Sequence, residues 1–596
     1  MASLNEMSLN VPPPVQQRSV ELGVTLLAMA EHFRTMSPPR YRMAIKCARA
    51  CFHTMMSPEL SAYAHVALGK LCFFYTENIN LAKCHLEQAY NQMKEFGASY
   101  VERRLEVACL LAEVYMQMRM YDAAKHLLRE ESVHSRMFPM IHARILFLYA
   151  EVFGMVNDWR NAEEVVNVGA SIFSQLGNPE LECYFSLSSS MIVSMELSRG
   201  EELMQHIMKV GEKITALGET HPSVDYIKAF CFTIQICFFL SVGLMKSTKV
   251  CLRQLQALVQ QMKGDFDGGI VQYPFFNWMG KETLTALTYV LTVIQSIQTC
   301  QLERAYKYHA IAMRHIGEMR RLMAQQNWPI VRRGSLECLN VLEIVLLQNF
   351  ATTQIMLARP LETINVLHIM VNKMRESGDL FDRFEAQAHA LIGLYCWLIR
   401  LPDDADRHFQ AALRTTHDTE FWTVVNLCLA IVYLLTCREA DFYTIFERIT
   451  PGKLQSSSPL LKSSAHFVHA LHSYLHSRFQ EARSHLADSV TIVRDEGVPR
   501  IQALATLLSA KLAGFEAADI LVAANDWAAK SSDQSLMLWS NHMICDLQTR
   551  FGNMEQAQAI KAGIDQVESC IMQSTREAMN SEAHRLVKWD GLAQTG

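Results

Sequence analysis

Apolar residues recur along this chain at i, i+3, i+4 and i+7, as at Leu105, Ala108, Leu111, Ala112 and Tyr115, and no run alternates with a period of two. The pattern predicts helices nearly throughout and strand content close to nil. A longer period is laid over the helical one. Ile392-Gly393 and Cys396 are followed by Ala405, Phe409 and Ala412, with Pro402-Asp403-Asp404 between them as a turn. Small residues twelve positions apart are what two antiparallel helices need where their backbones approach most closely. The same spacing recurs at Leu111-Ala112, Tyr115, Ala124 and Leu128, and at Tyr149-Ala150, Phe153, Ala162, Val166 and Gly169. It returns at Ala470, Ala482 and Leu486, and with one inserted residue at Leu68-Gly69, Ala82, Leu86 and Ala89. Ala305, His309 and Ala312, and Ala557 after Gly552-Asn553, keep mainly the second helix of a pair.

These are the spacings of the tetratricopeptide repeat, a helix pair of ~34 residues that packs on its neighbours. The fold class expected is therefore all-α, a tetratricopeptide-like helical-repeat superhelix, or solenoid. Five segments are expected. A flexible tail over 1–19, carrying Pro12-Pro13-Pro14, precedes repeats over 20–261. A loop at 262–277, with Lys263-Gly264-Asp265, Gly268-Gly269 and Pro274, leads to repeats over 278–575 and an extended tail over 576–596 that carries Trp589. Further breaks are expected at Asn327 to Gly334 and at Thr450 to Leu460, and the repeats between Pro179 and Lys263 are poorly defined.

Composition narrows this further. A chain of 596 residues exceeds what one hydrophobic core organises, and 25 Gly with 16 Pro leave little room for hairpins or long disordered stretches. Net charge is −5 and the longest basic runs are doublets such as Arg103-Arg104, so no basic stripe for direct nucleic-acid binding exists. Sixteen Cys without a C-x-x-C pair, among them Cys231, Cys237 and Cys428 within apolar runs, read as small buried hydrophobes in a reducing compartment. Phe230 to Met245 is the most lipid-like stretch; at sixteen residues it reads as a buried helix.

In a right-handed superhelix the first helix of each pair lines the concave face. Counting the small residue as the eighth position, the second, fifth, ninth and twelfth are expected to point inward. This gives Tyr63, Val66, Lys70 and Phe73 around Gly69, and Gln387, Ala390, Leu394 and Trp397 around Gly393. Later copies give Val424, Leu427, Ile431 and Leu434, then Ser464, Phe467, Leu471 and Tyr474. Two early copies are mixed, contributing Glu106, Cys109, Glu113 and Met116, then Arg144, Phe147 and Glu151. The candidate partner groove is Tyr63, Val66, Phe73, Phe147, Leu394, Trp397, Val424, Leu427, Ile431, Phe467, Leu471 and Tyr474. Capture of a short acidic carboxyl terminus would need Lys, Arg and Asn there. A largely apolar inner wall needs instead a permanent cover, either a long partner segment or, if the winding is tight, the repeats themselves.

No phosphate loop, dinucleotide fingerprint, H-E-x-x-H or G-x-S-x-G motif occurs, so no enzyme, cofactor or catalytic residue is expected. His466, His469, His472 and His476 share one helix face with His485 nearby; without a specified carboxylate or second element they read as a polar face, with no metal expected.

Several stretches resemble one family, the smaller tetratricopeptide subunit of the cohesin loader, the MAU-type partner of Nipped-B/adherin. They are Ala30-Glu31-His32-Phe33-Arg34 with Ser37-Pro38-Pro39, Tyr289 to Val293 with Leu302-Glu303-Arg304-Ala305, Leu391 to Cys396, Leu536 to Leu547 before Gly552-Asn553, and Leu586 to Gly591. The resemblance implies a superhelix wrapped around the extended N-terminal segment of the large HEAT-repeat loader subunit. It also implies indirect contact with cohesin and chromatin, a role in sister-chromatid cohesion, and nuclear residence. The competing reading is another tetratricopeptide adaptor, a chaperone or ubiquitin-ligase scaffold binding a peptide in its groove.

Overall fold

The computed structural model describes residues 13–589 apart from 37, 55–56, 77, 219–220, 263–277, 326–328, 377, 455–456, 495–497 and 515–517. Among these residues there is no strand. Helices follow one another as antiparallel pairs. The first four are α1 (Pro13–Thr35) with α2 (Tyr41–Ala50), α3 (Pro58–Tyr75) with α4 (Ile79–Glu95), α5 (Val101–Gln117) with α6 (Tyr121–His134), and α7 (Pro139–Met155) with α8 (Trp159–Gln175). Then come α9 (Pro179–Val193) with α10 (Gly200–Leu217), α11 (Val224–Val242) with α12 (Met245–Gln261), α13 (Lys281–Gln298) with α14 (Leu302–Gln325), and α15 (Pro329–Met356) with α16 (Pro360–Glu376). The last five are α17 (Gly378–Leu398) with α18 (Pro402–Thr415), α19 (Thr419–Leu435) with α20 (Glu439–Phe446), α21 (Pro459–Leu475) with α22 (Phe479–Val493), α23 (Pro499–Ala513) with α24 (Ala518–Ser531), and α25 (Gln534–Arg550) with α26 (Met554–Asn580).

Local chemistry starts and stops these helices where the pattern predicts. Ser57, Asn78, Asn178 and Ser458 accept the orphan amides of Leu60, Leu81, Leu181 and Leu461, and Pro58, Pro179 and Pro459 occupy first-turn positions that need no amide hydrogen. The turn inside six of the pairs is nearly identical from copy to copy. Arg119, Asn157, Ala358, Arg400, Cys437 and Ser477 adopt left-handed backbone with φ of 50–63°. The amide after each closes a six-residue bond, as from Met120 N to Tyr115 O at 2.8 Å and from Leu401 N to Cys396 O at 2.8 Å.

The small residues do what their spacing requires. Leu86, Phe185 and Phe409 press into the gaps left by Gly69, Gly169 and Gly393. The region between Pro179 and Lys263, poorly legible as repeats, forms two regular pairs, α9–α10 and α11–α12. By length and composition α11 could cross a membrane, but Ile227, Ile234, Ile236 and Phe238 are buried in a cluster shared with α9, α10 and α12.

Three expected boundaries differ. The helix α1 starts at Pro13, inside the expected tail, because proline's fixed φ and missing amide suit the first helical turn. The break at Asn327 to Gly334 is short, since α15 begins at Pro329 for the same reason. The C-terminal segment is not extended up to Trp589. α26 runs to Asn580 and a 3-10 segment follows at Glu582–Lys588, and both fold back on α16, with the 3-10 segment also reaching α17. Trp589 is stacked on His389 with centroids 4.5 Å apart, and its neighbour Val587 accepts a hydrogen bond from His408 at 2.9 Å. Ala578, Ala583, Leu586, Val587 and Trp589 join the core of α15–α21; their irregular spacing follows 3-10 docking and carries no helical period. The expected loop at 262–277 lies outside the described residues from 263 onward, as do residues 1–12 and 590–596.

Candidate functional site

The pairs wind tightly enough that successive turns of the superhelix touch edge to edge. Arg119, in the turn of the third pair, bridges Asp382 of the ninth at 3.2 Å, and Met155 of the fourth lies 3.9 Å from the guanidinium of Arg383. Cys300, in the turn of the seventh pair, accepts a hydrogen bond from Ser532 at the end of the twelfth. The helix α15 of the eighth pair packs on α3 of the second. Each contact joins pairs five or six apart, so the first helices enclose a channel one superhelical turn in circumference.

Which side chains face that channel is decided by helix geometry. At 3.6 residues per turn, positions two and nine lie within about 20° of one line, while five and twelve fall about 50–70° to one side of it. The structure separates them accordingly. At position two, Tyr63 and Val424 are 40% and 41% exposed. At position nine, Lys70 and Glu151 are exposed, and Leu394, Ile431 and Leu471 are half-buried. Positions five and twelve turn into the packing between helices. Phe73, Leu427 and Phe467 retain only 5–7% exposure, and Leu434 is also buried. Phe147 stacks flat on Phe185 with centroids 4.0 Å apart. Of the expected groove, Phe73, Leu427, Phe467 and Phe147 are therefore occupied by their own neighbours. Val66, Trp397 and Tyr474 are half-buried. Leu394, Trp397, Ile431 and Leu471 pack on one shared cluster, with Leu471 also bordering the next.

The inner wall has two chemistries, charged in the early copies that the count gave as mixed and apolar in the later ones. Arg144 holds Glu113 at 2.6 Å across the channel side of α5 and α7. The Lys70 ammonium is lowered by burial, against an opposing pull from Glu106. The Glu151 carboxyl, open to solvent and nonetheless surrounded by protein, is pushed up to about 7 by burial and then by Glu113 and Glu337, with Arg383 opposing. An accessible yet desolvated group is what the inside of a narrow water-filled channel produces. From α17 to α21 the open positions are Gln387, Leu394, Val424, Ile431, Ser464 and Leu471, without a charge.

Three thiols that the spacing did not reveal lie on first helices of their pairs and keep some exposure. Cys237 of α11 is exposed and Cys428 of α19 partly so, and burial by the surrounding protein pushes both up to about 11. Burial raises the thiol of Cys338, on α15, as well. Of the three cysteines expected to be interior, only Cys231 is buried. Cys428 stands four after Val424 and three before Ile431, so a shift of one residue from Leu427 would have found it.

The sequence matches the family model of the cohesin loading factor over residues 24–555. It is similar to maternal uncoordinated protein 2 of Caenorhabditis elegans, 26% identical over 582 residues covering 95% of this chain and 96% of that protein. It is also similar to the MAU2 chromatid cohesion factor homolog of Aedes aegypti, 28% identical over 538 residues covering 88% and 85%. Among solved structures, Scc4 in complex with Scc2n has the same fold, with a TM-score of 0.61 at 10% identity over 94% of this chain and 99% of that one.

Proposed function

The chain belongs to the cohesin loading factor family, and from that premise we propose that it is the non-catalytic scaffold subunit of a cohesin loader. Its channel holds the extended N-terminal segment of the large, Nipped-B/adherin-type subunit. The observation that carries this reading is the line of open side chains at positions two and nine, which leaves an inner wall for a chain to lie against. Relatives described as chromatid cohesion factors, and a fold neighbour solved with a segment of its partner, support it. The occupant matching this wall carries charged side chains where it passes α3, α5 and α7, and apolar ones where it passes α17, α19 and α21. Cohesin and chromatin are reached through that partner, consistent with a net charge of −5, and the site of action is chromatin in the nucleus.

The other adaptor reading is weaker on the same geometry. A clamp for an acidic tail needs cations free to receive it, and Arg144 already holds Glu113. The test is co-expression with the N-terminal loader segment. Leu394→Asp together with Ile431→Asp places two carboxylates against apolar partner side chains, and capture falls at least about 100-fold while helicity is kept. Undiminished capture by a folded double variant would remove the channel as the binding seat.

A further inference from the structure

Three helix pairs carry the same histidine contact. His65 and His85, His389 and His408, and His466 and His485 meet through their Nδ1 atoms at 2.8, 3.0 and 3.2 Å. In each case the first histidine stands four before the small residue of its helix, Gly69, Gly393 or Ala470. The second stands three after the small residue of the next, Ala82, Ala405 or Ala482. The repeat thus places two imidazoles face to face by construction, and their surroundings decide what the contact does.

Around the first pair Phe52 closes over both rings, 4.5 Å from His65 and 6.0 Å from His85. Around the second the C-terminal segment does so, with Trp589 on His389 and the Val587 carbonyl on His408. The third pair has a carboxylate instead. Asp488, one turn beyond His485 on α22, brings Oδ2 to 3.8 Å from Nδ1 of His466, and the three donor atoms lie within 4.8 Å of one another. Asp488 is exposed, so its carboxylate is free to swing inward. Beside them His469 lies with its ring 5.5 Å from that of His485, and its Nε2 is buried without a hydrogen-bond partner. His469 and His472 are themselves packed under Phe446 and Phe442, so the expected polar histidine face is half interior.

Donors bound tetrahedrally at metal distances of about 2.0–2.2 Å are separated by about 3.3–3.5 Å. The nitrogens of His466 and His485 already stand at nearly that separation, and the carboxylate oxygen, 3.8 Å from one and within 4.8 Å of the other, closes the remainder by a rotation of its exposed side chain. Two imidazoles and one carboxylate with a fourth position left to water suit a borderline divalent cation and not calcium or magnesium, which take oxygen ligands. The sequence specified no carboxylate and no second element; α22 supplies both.

We propose that α21 and α22 hold one divalent cation of the zinc class through Nδ1 of His466, Nδ1 of His485 and a carboxylate oxygen of Asp488, with water as the fourth ligand. The cation staples the two helices of this pair together. The test uses the full chain, reduced, with exposed thiols alkylated, stripped with chelator and then titrated with zinc by calorimetry. Wild type takes up one equivalent more zinc than His485→Ala, and Asp488→Asn, a change at an exposed position, weakens that equivalent about tenfold. His65→Ala binds as wild type does. Zinc slows hydrogen exchange in α21 and α22 of wild type and leaves exchange in His485→Ala unchanged. Equal zinc uptake and affinity in wild type, His485→Ala and Asp488→Asn, or zinc-independent exchange in α21 and α22, would overturn the assignment.

Discussion

Replacing Gly393 by alanine tests the packing rule on which the whole superhelix is built. An added Cβ would stand 2.8, 2.9 and 3.1 Å from three ring carbons of Phe409, against about 3.5–4.0 Å for carbons in good contact. Phe409 is fully buried in the cluster of α15–α21, so its ring has nowhere to swing. Overpacking of this kind costs about 1–3 kcal/mol, while alanine in a helix gains about 1 kcal/mol over glycine, so the net destabilisation reaches up to about 2 kcal/mol. Gly211, in α10 with nothing within 4 Å of its would-be Cβ, isolates the opposing effect. A long repeat array does not unfold as one unit, so the assay is local hydrogen exchange. With 1.4 kcal/mol per tenfold, Gly393→Ala speeds exchange in α17 and α18 by up to about 30-fold, and Gly211→Ala slows it in α10 about fivefold. Phe409→Leu added to Gly393→Ala recovers part of the loss by making room. Slower exchange in α17 and α18 of Gly393→Ala would refute the idea that the glycine is there for close approach.

The remaining predictions concern the channel and the C-terminal segment. The Glu151 carboxyl keeps its proton up to about 7 in the folded chain and releases it near 4.5 when unfolded, so the folded state binds more protons between those values. Stability therefore falls as pH rises from about 4.5 to 7. In urea melts, Glu151→Gln is more stable than wild type at pH 8 and equal to it below about pH 4.5, and parallel curves for the two chains would contradict this. Trp589→Ala removes a buried ring stacked on His389 and edge-on to Phe381, costing about 3–5 kcal/mol of docking. Hydrogen exchange then rises in α16–α18 and stays unchanged in α3–α8; a uniform or absent change would show that the segment does not clasp this region.

Much of the fold was legible because the constraint was local. Gly393 with Phe409, and Gly69 with Leu86, are close approaches whose residue types follow from sterics, so their spacing announces the helix pair. Where larger residues tolerate the approach, as along α11 and α12, the period fades although the pair is equally regular. The turns inside the pairs hid for a related reason. Arg119, Ala358 and Cys437 adopt left-handed backbone where glycine would have been the signal, held there by the six-residue bond that each turn closes. Long-range features left no periodic trace at all. Nothing near Arg119 specifies Asp382, and Trp589 finds His389 only after the chain has wound. The inner wall was half legible, since positions two and nine follow from the count. Phe73, Leu427 and Phe467 were assigned to the wall because their apolar character suits a groove and a core equally well. Their angle to the channel line separates the two.

The central claim, that a partner segment lies inside this channel, is tested most directly by thiol footprinting of the chain alone and in complex with the N-terminal loader segment. Cys237 and Cys428 lie on first helices, whereas the exposed Cys84 and Cys570 lie on second helices. At pH 8 the complex protects Cys237 and Cys428 from maleimide at least about tenfold relative to the free chain, and leaves Cys84 and Cys570 unchanged. Equal modification rates at Cys237 and Cys428 in a fully formed complex would place the partner elsewhere and contradict the account.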